Sequence, residues 1–148
     1  MKTQERMLQI KSCEQMCDAG RAATAHFHKV CLSDPSQMPK ETTFRLADIL
    51  ECHQDLEKTY LIRLFALFEA TVRDFWRQVC GKKSHPLITS LLDRIASRWH
   101  MHYDVLSNTH VVRKYRNSLV HGWQAQPMTL SEARAYVCTF LSYLPREW

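Results

Sequence analysis

Apolar residues recur at every third or fourth position along most of the chain, which is the spacing that places them on one face of an α-helix. No segment shows a convincing alternation of apolar and polar residues bounded by turn residues, so little or no β-sheet is expected. The periodicity predicts helical segments at 2–32, 44–53, 55–80, 84–99, 104–121 and 129–144.

Residues that favour helix ends separate these segments. Pro35 and Pro39 end the first segment, because proline cannot continue a helix, and Gly20 is a possible break within it. Thr43 is a plausible cap for the second segment. Gly81 follows the third segment, in keeping with the preference for glycine just beyond a helix stop.

The segment at 55–80 is the most hydrophobic, and its apolar residues cover more than half of its circumference, so it should be the buried central helix. Thr129 and Glu132 have the spacing of a capping box that opens the last helix. Five or six helices with short connections predict an all-α protein, an antiparallel helical bundle formed by a single domain at 1–148.

Hydrophobic residues make up 45% of the chain, and only three residues are glycine, which argues against disorder and against a turn-rich β fold. No run of eighteen apolar residues is present, and the first residues lack the apolar core of a signal peptide. We therefore expect a cytoplasmic protein without a membrane partner. The six cysteines should accordingly be reduced and mostly buried.

Positive charge is concentrated in the middle of the chain. The net charge is +5, and residues 63–116 alone contain ten Lys or Arg against four Asp or Glu, a balance of +6. Such asymmetry suits a polyanionic partner, because each neutralised phosphate releases counterions. Solvated helix faces are an equally good explanation of the charge by itself.

The most informative stretch closes the segment at 104–121, where Arg116, Asn117 and His121 precede Gly122. These residues supply a permanent cation, an amide and the side chain that exchanges a proton near pH 7. Asn117 and His121 are four residues apart and share a helix face, whereas Arg116 and His121 are separated by about 140° around the axis. A long arginine would have to reach around, or a second copy of the helix would have to complete the site. Trp123, just beyond, is a further candidate for the core.

This stretch resembles the R-N-x-x-x-H signature of the HEPN superfamily, the higher eukaryotes and prokaryotes nucleotide-binding domains. The resemblance implies a helical bundle, a homodimer with the motif helices near the two-fold axis, and a metal-independent endoribonuclease of toxin–antitoxin or phage-defence systems. The implied reaction is attack of a ribose 2′-OH on the adjacent phosphorus, which leaves a 2′,3′-cyclic phosphate. The implied substrate is RNA, with no cofactor and no metal.

In that scheme His121 exchanges the proton, and the negative end of its helix favours the protonated ring and thus the acid role. Arg116 stabilises charge on the phosphoryl oxygens. Asn117 orients His121 or holds a phosphate oxygen. The alternative is a surface arginine, a satisfied amide and a histidine that caps a helix end.

Further candidates surround the motif. Glu69 lies within the most apolar segment, where it either orients Arg116 or His121 or forms an ordinary ion pair with Arg73 at i+4. The candidates for holding RNA phosphates are residues of the motif helix, and a solvated polar face is the alternative. These candidates are His110, Arg113 and Lys114.

Other functions remain open. A non-catalytic HEPN-like module could bind nucleotide, RNA or a protein partner, for instance as the antitoxin or toxin of a cognate pair. A helical bundle unrelated to the superfamily, with a fortuitous motif, is a third possibility. The pairs His100/His102 and Cys13/Cys17 lack the arrangement of a structural zinc site. A Ser or Cys nucleophile beside a His is not marked by any pattern.

Overall fold

The computed structural model describes residues 3–81 and 86–148, and this part of the chain is helical without a β-strand. The prediction of an all-α helical bundle is therefore confirmed. The helices are α1 (Thr3–Ser33), α2 (Leu46–Cys80), α3 (Ile88–Arg98), α4 (Tyr103–His121) and α5 (Leu130–Ser142), and a 3₁₀ turn spans Pro35–Gln37.

Helix α2 is the central helix, as its hydrophobicity predicted. It packs against each of the other four α-helices. Its phenylalanine residues at 65, 68 and 75 are fully buried. Burial of three aromatic side chains along one helix, each worth roughly 1.5–3 kcal/mol, makes α2 the element against which the others are placed.

The long helices run antiparallel to their neighbours around the bundle. Arg6 at the start of α1 pairs with Asp74 near the end of α2 at 2.9 Å, so these two helices run in opposite directions. Helix α4 also opposes α2, because Trp99, just before α4, contacts Phe75, whereas Arg116 near its end lies over Phe65. The motif helix is thus held against the central helix along its length.

Helix α5 completes the bundle between α1 and α4. The backbone N–H of Leu130 donates to Glu57 of α2 at 2.9 Å. Further along both helices, the ring of Phe140 meets the ring of Phe68 edge to face at 5.5 Å. Helices α5 and α2 therefore run parallel, as diagonal partners in a four-helix arrangement. The short helix α3 packs on α2 and α4.

Two predicted helix limits in the first half of the chain were wrong. The segments 44–53 and 55–80 form the single helix α2, since no proline or glycine interrupts them and α1 packs along both. The cap is Arg45 and not Thr43: the backbone N–H of Arg45 donates to the Asp48 carboxylate at 2.6 Å. The possible break at Gly20 does not occur. A Cβ there would meet Leu56 at 3.4 Å, an ordinary van der Waals distance, and α1 is continuous through this position.

The later helix limits agree more closely with the sequence pattern. The capping box of α5 is present: the Glu132 carboxylate accepts the backbone N–H of Thr129 at 2.8 Å, and Thr129 Oγ1 accepts the N–H of Glu132 at 3.2 Å. The first of these hydrogen bonds is the main reason that the pKa of Glu132 lies below its usual value. The predicted opening at Ser84 and His85 lies outside the described residues, and α3 begins at Ile88.

Candidate nucleic-acid interface

The carboxyl end of α4 presents His121 to solvent. Gly122 adopts a left-handed conformation with φ of 70°, and its N–H donates to the carbonyl of Ser118 at 2.8 Å, which ends the helix as the sequence predicted. The chain then turns so that the ring of Trp123 stacks on the ring of His121, with centroids 4.8 Å apart and planes inclined by 27°. His121 is exposed, and Trp123 is 64% exposed.

The exposure of Trp123 corrects the expectation that this residue faces the core. The αL turn at Gly122 directs the chain away from the bundle, so the indole covers the His121 ring and does not insert between helices. Periodicity could not reveal this, because the helical register ends at the glycine. The consequence is an aromatic platform beside the candidate general acid.

Arg116 points toward the central helix. Its guanidinium lies 5.5 Å from the centre of the Phe65 ring, a distance typical of a cation–π contact. One terminal nitrogen, Nη1, donates to Oδ1 of Asn117 at 2.9 Å. The Nε atom is buried without a hydrogen-bond partner. Arg116 forms no ion pair with any described residue, so its charge is held by an aromatic face and an amide alone.

Arg116 and His121 therefore lie on different sides of α4, as their spacing of five residues predicted. Within the part of the chain that the structure describes, no hydrogen bond joins them. Asn117 connects the two sides. Its side-chain oxygen accepts a hydrogen bond from Arg116, and the residue also lines a surface depression together with Trp123, which stacks on His121. A single chain does not bring the cation and the imidazole to one phosphate.

The depression beside His121 has a volume of about 480 Å³, within the range of small-molecule sites. Two cations line it, Arg113 and Lys114, and neither forms an ion pair with a described residue. No described carboxylate contributes to its wall. The remaining lining residues are Val111, Asn117, Trp123, Gln124, Ala125 and Gln126. This depression is named the carboxyl-end depression.

A second depression of about 420 Å³ lies toward the amino end of α4 and is named the amino-end depression. It shares Arg113 and Lys114 with the first, but it also contains a carboxylate. Nε2 of His110 lies 2.9 Å from Oδ1 of Asp93, and Nε of Arg113 donates to Nδ1 of His110 at 3.4 Å. Both nitrogens of this predicted phosphate ligand are thus occupied by protein groups. Asp93 is 17 residues away on α3, so helical spacing could not identify it.

Glu69 forms the ordinary helix ion pair. Its Oε1 atom accepts from Arg73 Nη2 at 2.7 Å and from Nε at 3.0 Å. Arg73 also donates from Nη1 to the carbonyl of Pro86 at 3.0 Å, which ties α2 to the residues before α3. Among the described residues, Glu69 contacts neither Arg116 nor His121. The pair therefore supports the fold near the site and takes no direct part in it.

Burial disfavours the thiolate at three of the six cysteines, whereas the Cys80 sulfur accepts a hydrogen bond from Arg98 Nη1 at 3.6 Å. All six thiols are free, and Cys13, Cys17 and Cys31 are buried. Burial raises the pKa of the Cys13, Cys17 and Cys138 thiols, which disfavours the reactive thiolate. The described residues also contain no group of three or more His, Cys, Asp or Glu side chains placed to hold a metal ion.

Comparison with known proteins gives no relative: the chain matches no protein-family model, no curated protein and no solved structure. Within residues 3–81 and 86–148, no helix has the length and apolar character needed to cross a membrane.

Proposed function

We propose that the protein is a metal-independent endoribonuclease of HEPN type, which holds RNA along the exposed face of α4 and cleaves it at His121. The observation that carries the proposal is the placement of His121. Its exposed ring stacks on Trp123, which lines a cationic depression without a described carboxylate. Such a surface attracts phosphate and bases together and has a proton-exchanging group at its edge.

The reaction requires no cofactor. The ribose 2′-OH gives its proton to solvent water and attacks the adjacent phosphorus, the bond from phosphorus to the 5′-oxygen breaks, and the leaving oxygen takes a proton from His121. The products are a 2′,3′-cyclic phosphate and a 5′-OH end. His121 lies exposed in the last turn of α4 with its ring against Trp123, so we assign it the proton donation. Transfer by a positioned imidazole accelerates such a step by about 10²–10⁴-fold.

The proposal includes a homodimer, because Arg116 and His121 diverge within one chain. A second copy with its α4 end against the first brings the Arg116 charge of one chain near the His121 of the other if the guanidinium turns away from the Phe65 ring. Arg116 also acts within its own chain by fixing the amide of Asn117, at 2.9 Å, on the side of the depression. This division assigns charge stabilisation and orientation to Arg116 and proton exchange to His121.

The test is cleavage of a labelled single-stranded RNA in EDTA, with the 3′ ends of the products analysed for cyclic phosphate. His121→Ala is expected to lower the cleavage rate by at least a hundredfold, whereas His26→Ala, which removes an exposed histidine of α1, leaves it unchanged. Arg116→Ala is expected to abolish cleavage, with Arg63→Ala on the α1-facing side of α2 as its control. Circular dichroism and sedimentation establish that each variant is a folded dimer. A fully active His121→Ala protein contradicts the proposal.

A non-catalytic RNA-binding module is the second candidate, and the position of Arg116 favours it. The guanidinium lies against Phe65 and bonds to Asn117, so in a monomer it serves the structure of α4 and not a phosphate. Growth arrest upon expression, relieved by His121→Ala, is expected of the nuclease and of the toxin in a cognate pair. RNA binding without cleavage or growth arrest identifies the module, including an antitoxin.

A further inference from the structure

The carboxyl-end depression contains the groups that recognise a nucleobase as well as those that bind phosphate. Three of its lining residues carry primary amides, namely Asn117, Gln124 and Gln126. Each amide has two N–H donors and one carbonyl acceptor, and pairs of these groups match the hydrogen-bonding edges of bases. The two cations are sufficient to bind phosphate. The three amides therefore indicate that a second group of the ligand, such as a base, is bound beside the phosphate.

The amide of Asn117 is already oriented. A guanidinium has donors and no acceptor, so the group that faces Arg116 at 2.9 Å has to be the amide oxygen. The Nδ2 amine, with its two donors, is consequently left for the depression that Asn117 lines. Arg116 therefore acts from the inner side of α4 on the recognition surface, as a positioning residue.

Trp123 supplies a stacking surface next to these amides. One face of its ring covers His121, and the side chain is 64% exposed while it also lines the depression. A base that stacks on the indole would lie within reach of Gln124 and Gln126, which follow in the chain. The His121 ring, on the opposite face of the indole, would then be separated from the bound base by the indole, that is, by two stacking distances.

We infer that the carboxyl-end depression is a binding pocket for one unpaired base of a single-stranded RNA, and that this base lies next to the linkage cleaved at His121. Trp123 stacks on the base, and Asn117, Gln124 and Gln126 read its edge. The adjacent phosphates lie against Arg113 and Lys114. The position relative to the cleaved linkage rests on the proposed function, whereas the base pocket itself does not.

The shape and charge of the pocket favour single-stranded over double-stranded RNA. Bases of an A-form duplex are paired and stacked, so neither the indole nor the amides could reach a free edge. An acidic peptide would suit the cations, but its carboxylate side chains offer no flat ring to stack on the indole. A nucleoside monophosphate offers the same base chemistry but only one phosphate group for Arg113 and Lys114.

Binding is tested with 2′-O-methyl homopolymers, which lack the attacking hydroxyl and so remain intact. Fluorescence anisotropy is expected to show tighter binding of single strands than of a duplex, and weak competition by nucleoside monophosphates. Trp123→Ala is expected to weaken single-strand binding by about 5- to 150-fold, the loss of one base–aromatic stack. Tyr143→Ala, which removes a 40% exposed aromatic residue outside both depressions, is the matched control.

Base recognition is tested with the double variant Gln124→Ala/Gln126→Ala. It is expected to change the ratio of affinities among the four homopolymers by roughly tenfold, whereas Gln54→Ala on α2 leaves the ratio unchanged. Arg116→Met, which frees the Asn117 amide to rotate, is expected to alter the same ratio. Equal effects of Trp123→Ala and Tyr143→Ala, preferred binding of duplex, or tight binding of mononucleotides would each overturn the inference.

The outcomes separate the pocket from the nuclease. One outcome is cleavage that is lost in His121→Ala but unchanged in Trp123→Ala, Gln124→Ala and Gln126→Ala. This result would support the proposed nuclease and contradict the base pocket. The other outcome is selective binding of 2′-O-methyl single strands without cleavage of ordinary RNA. This result would support the base pocket and contradict the proposed nuclease.

Discussion

The two depressions along α4 share a wall but differ in what faces it. Both contain Arg113 and Lys114. At the amino end, Asp93 lies across from these cations and holds His110 at 2.9 Å, so a carboxylate competes with any phosphate. At the carboxyl end, amides and Trp123 take the corresponding places. Arg113 and Lys114 thus line one depression that contains a carboxylate and another in which no described carboxylate is present.

The comparison shows that the chemistry of a surface helix depends on its neighbours. The side chains of α4 recur with helical spacing along one exposed face, yet α3 adds an acid at one end and the segment after Gly122 adds amides at the other. The binding properties of the two ends should therefore respond differently to charge.

Among changes of charge in the two depressions, the largest effect on RNA binding is expected from Lys114→Glu. The change removes a cation common to both depressions and adds an anion, so single-stranded RNA should bind about 10- to 100-fold more weakly at low salt. Lys29→Glu on α1 makes the same change of charge on an exposed helix and serves as the control. Similar losses in the two variants, measured by anisotropy, would mean that binding reflects net charge and not this wall.

Gln124→Glu should give the carboxyl-end depression the character of the amino end. A single carboxylate facing Lys114 is expected to weaken RNA binding by about fivefold, because it offers the cation an internal partner. Gln54→Glu, on α2, adds the same charge elsewhere. An unchanged affinity for Gln124→Glu would indicate that RNA does not enter this depression.

Asp93→Asn is the reciprocal change and should increase RNA binding, by about two- to threefold. Loss of the carboxylate removes the partner of His110 and the repulsion that phosphate meets beside Arg113. The titration used for Gln124→Glu measures this gain. A decrease in affinity would show that the pairing of Asp93 with His110 supports the binding surface.

The smallest effect concerns salt dependence. Lys114→Ala is expected to reduce the slope of log affinity against log salt by about 0.7, the value for one phosphate contact on a single strand. Raising the salt fourfold should then weaken the variant about threefold less than the parent protein. Lys29→Ala should leave the slope unchanged, and a slope unchanged in both variants argues against a phosphate contact at Lys114.

Much of the fold was predictable because its signals are local. The capping box at Thr129, the stop at Gly122 and the amphipathic spacing each depend on a few consecutive residues. The continuity of α2 through residue 54 was not predicted. The apolar periodicity weakens at this point, although no proline or glycine there interrupts the helix. Packing of α1 along both parts of α2 stabilises the continuous helix.

The candidate site was only partly predictable. The divergence of Arg116 and His121 follows from a spacing of five residues on a helix, and the structure has them on different sides of α4. The sequence could not predict that Asp93 is the partner of His110, because Asp93 belongs to another helix. Trp123 was placed on the wrong side, since no periodicity extends past a left-handed glycine.

The sequence by itself determined the helices, most of their ends and the angular positions of polar residues around α4, because these depend on local backbone geometry and on the period of 3.6 residues. Only the tertiary structure decided which polar groups meet: Arg116 with Phe65 and Asn117, His110 with Asp93, and His121 with Trp123. Such contacts depend on how helices pack and how the chain leaves them, and these are set by burial across the whole bundle.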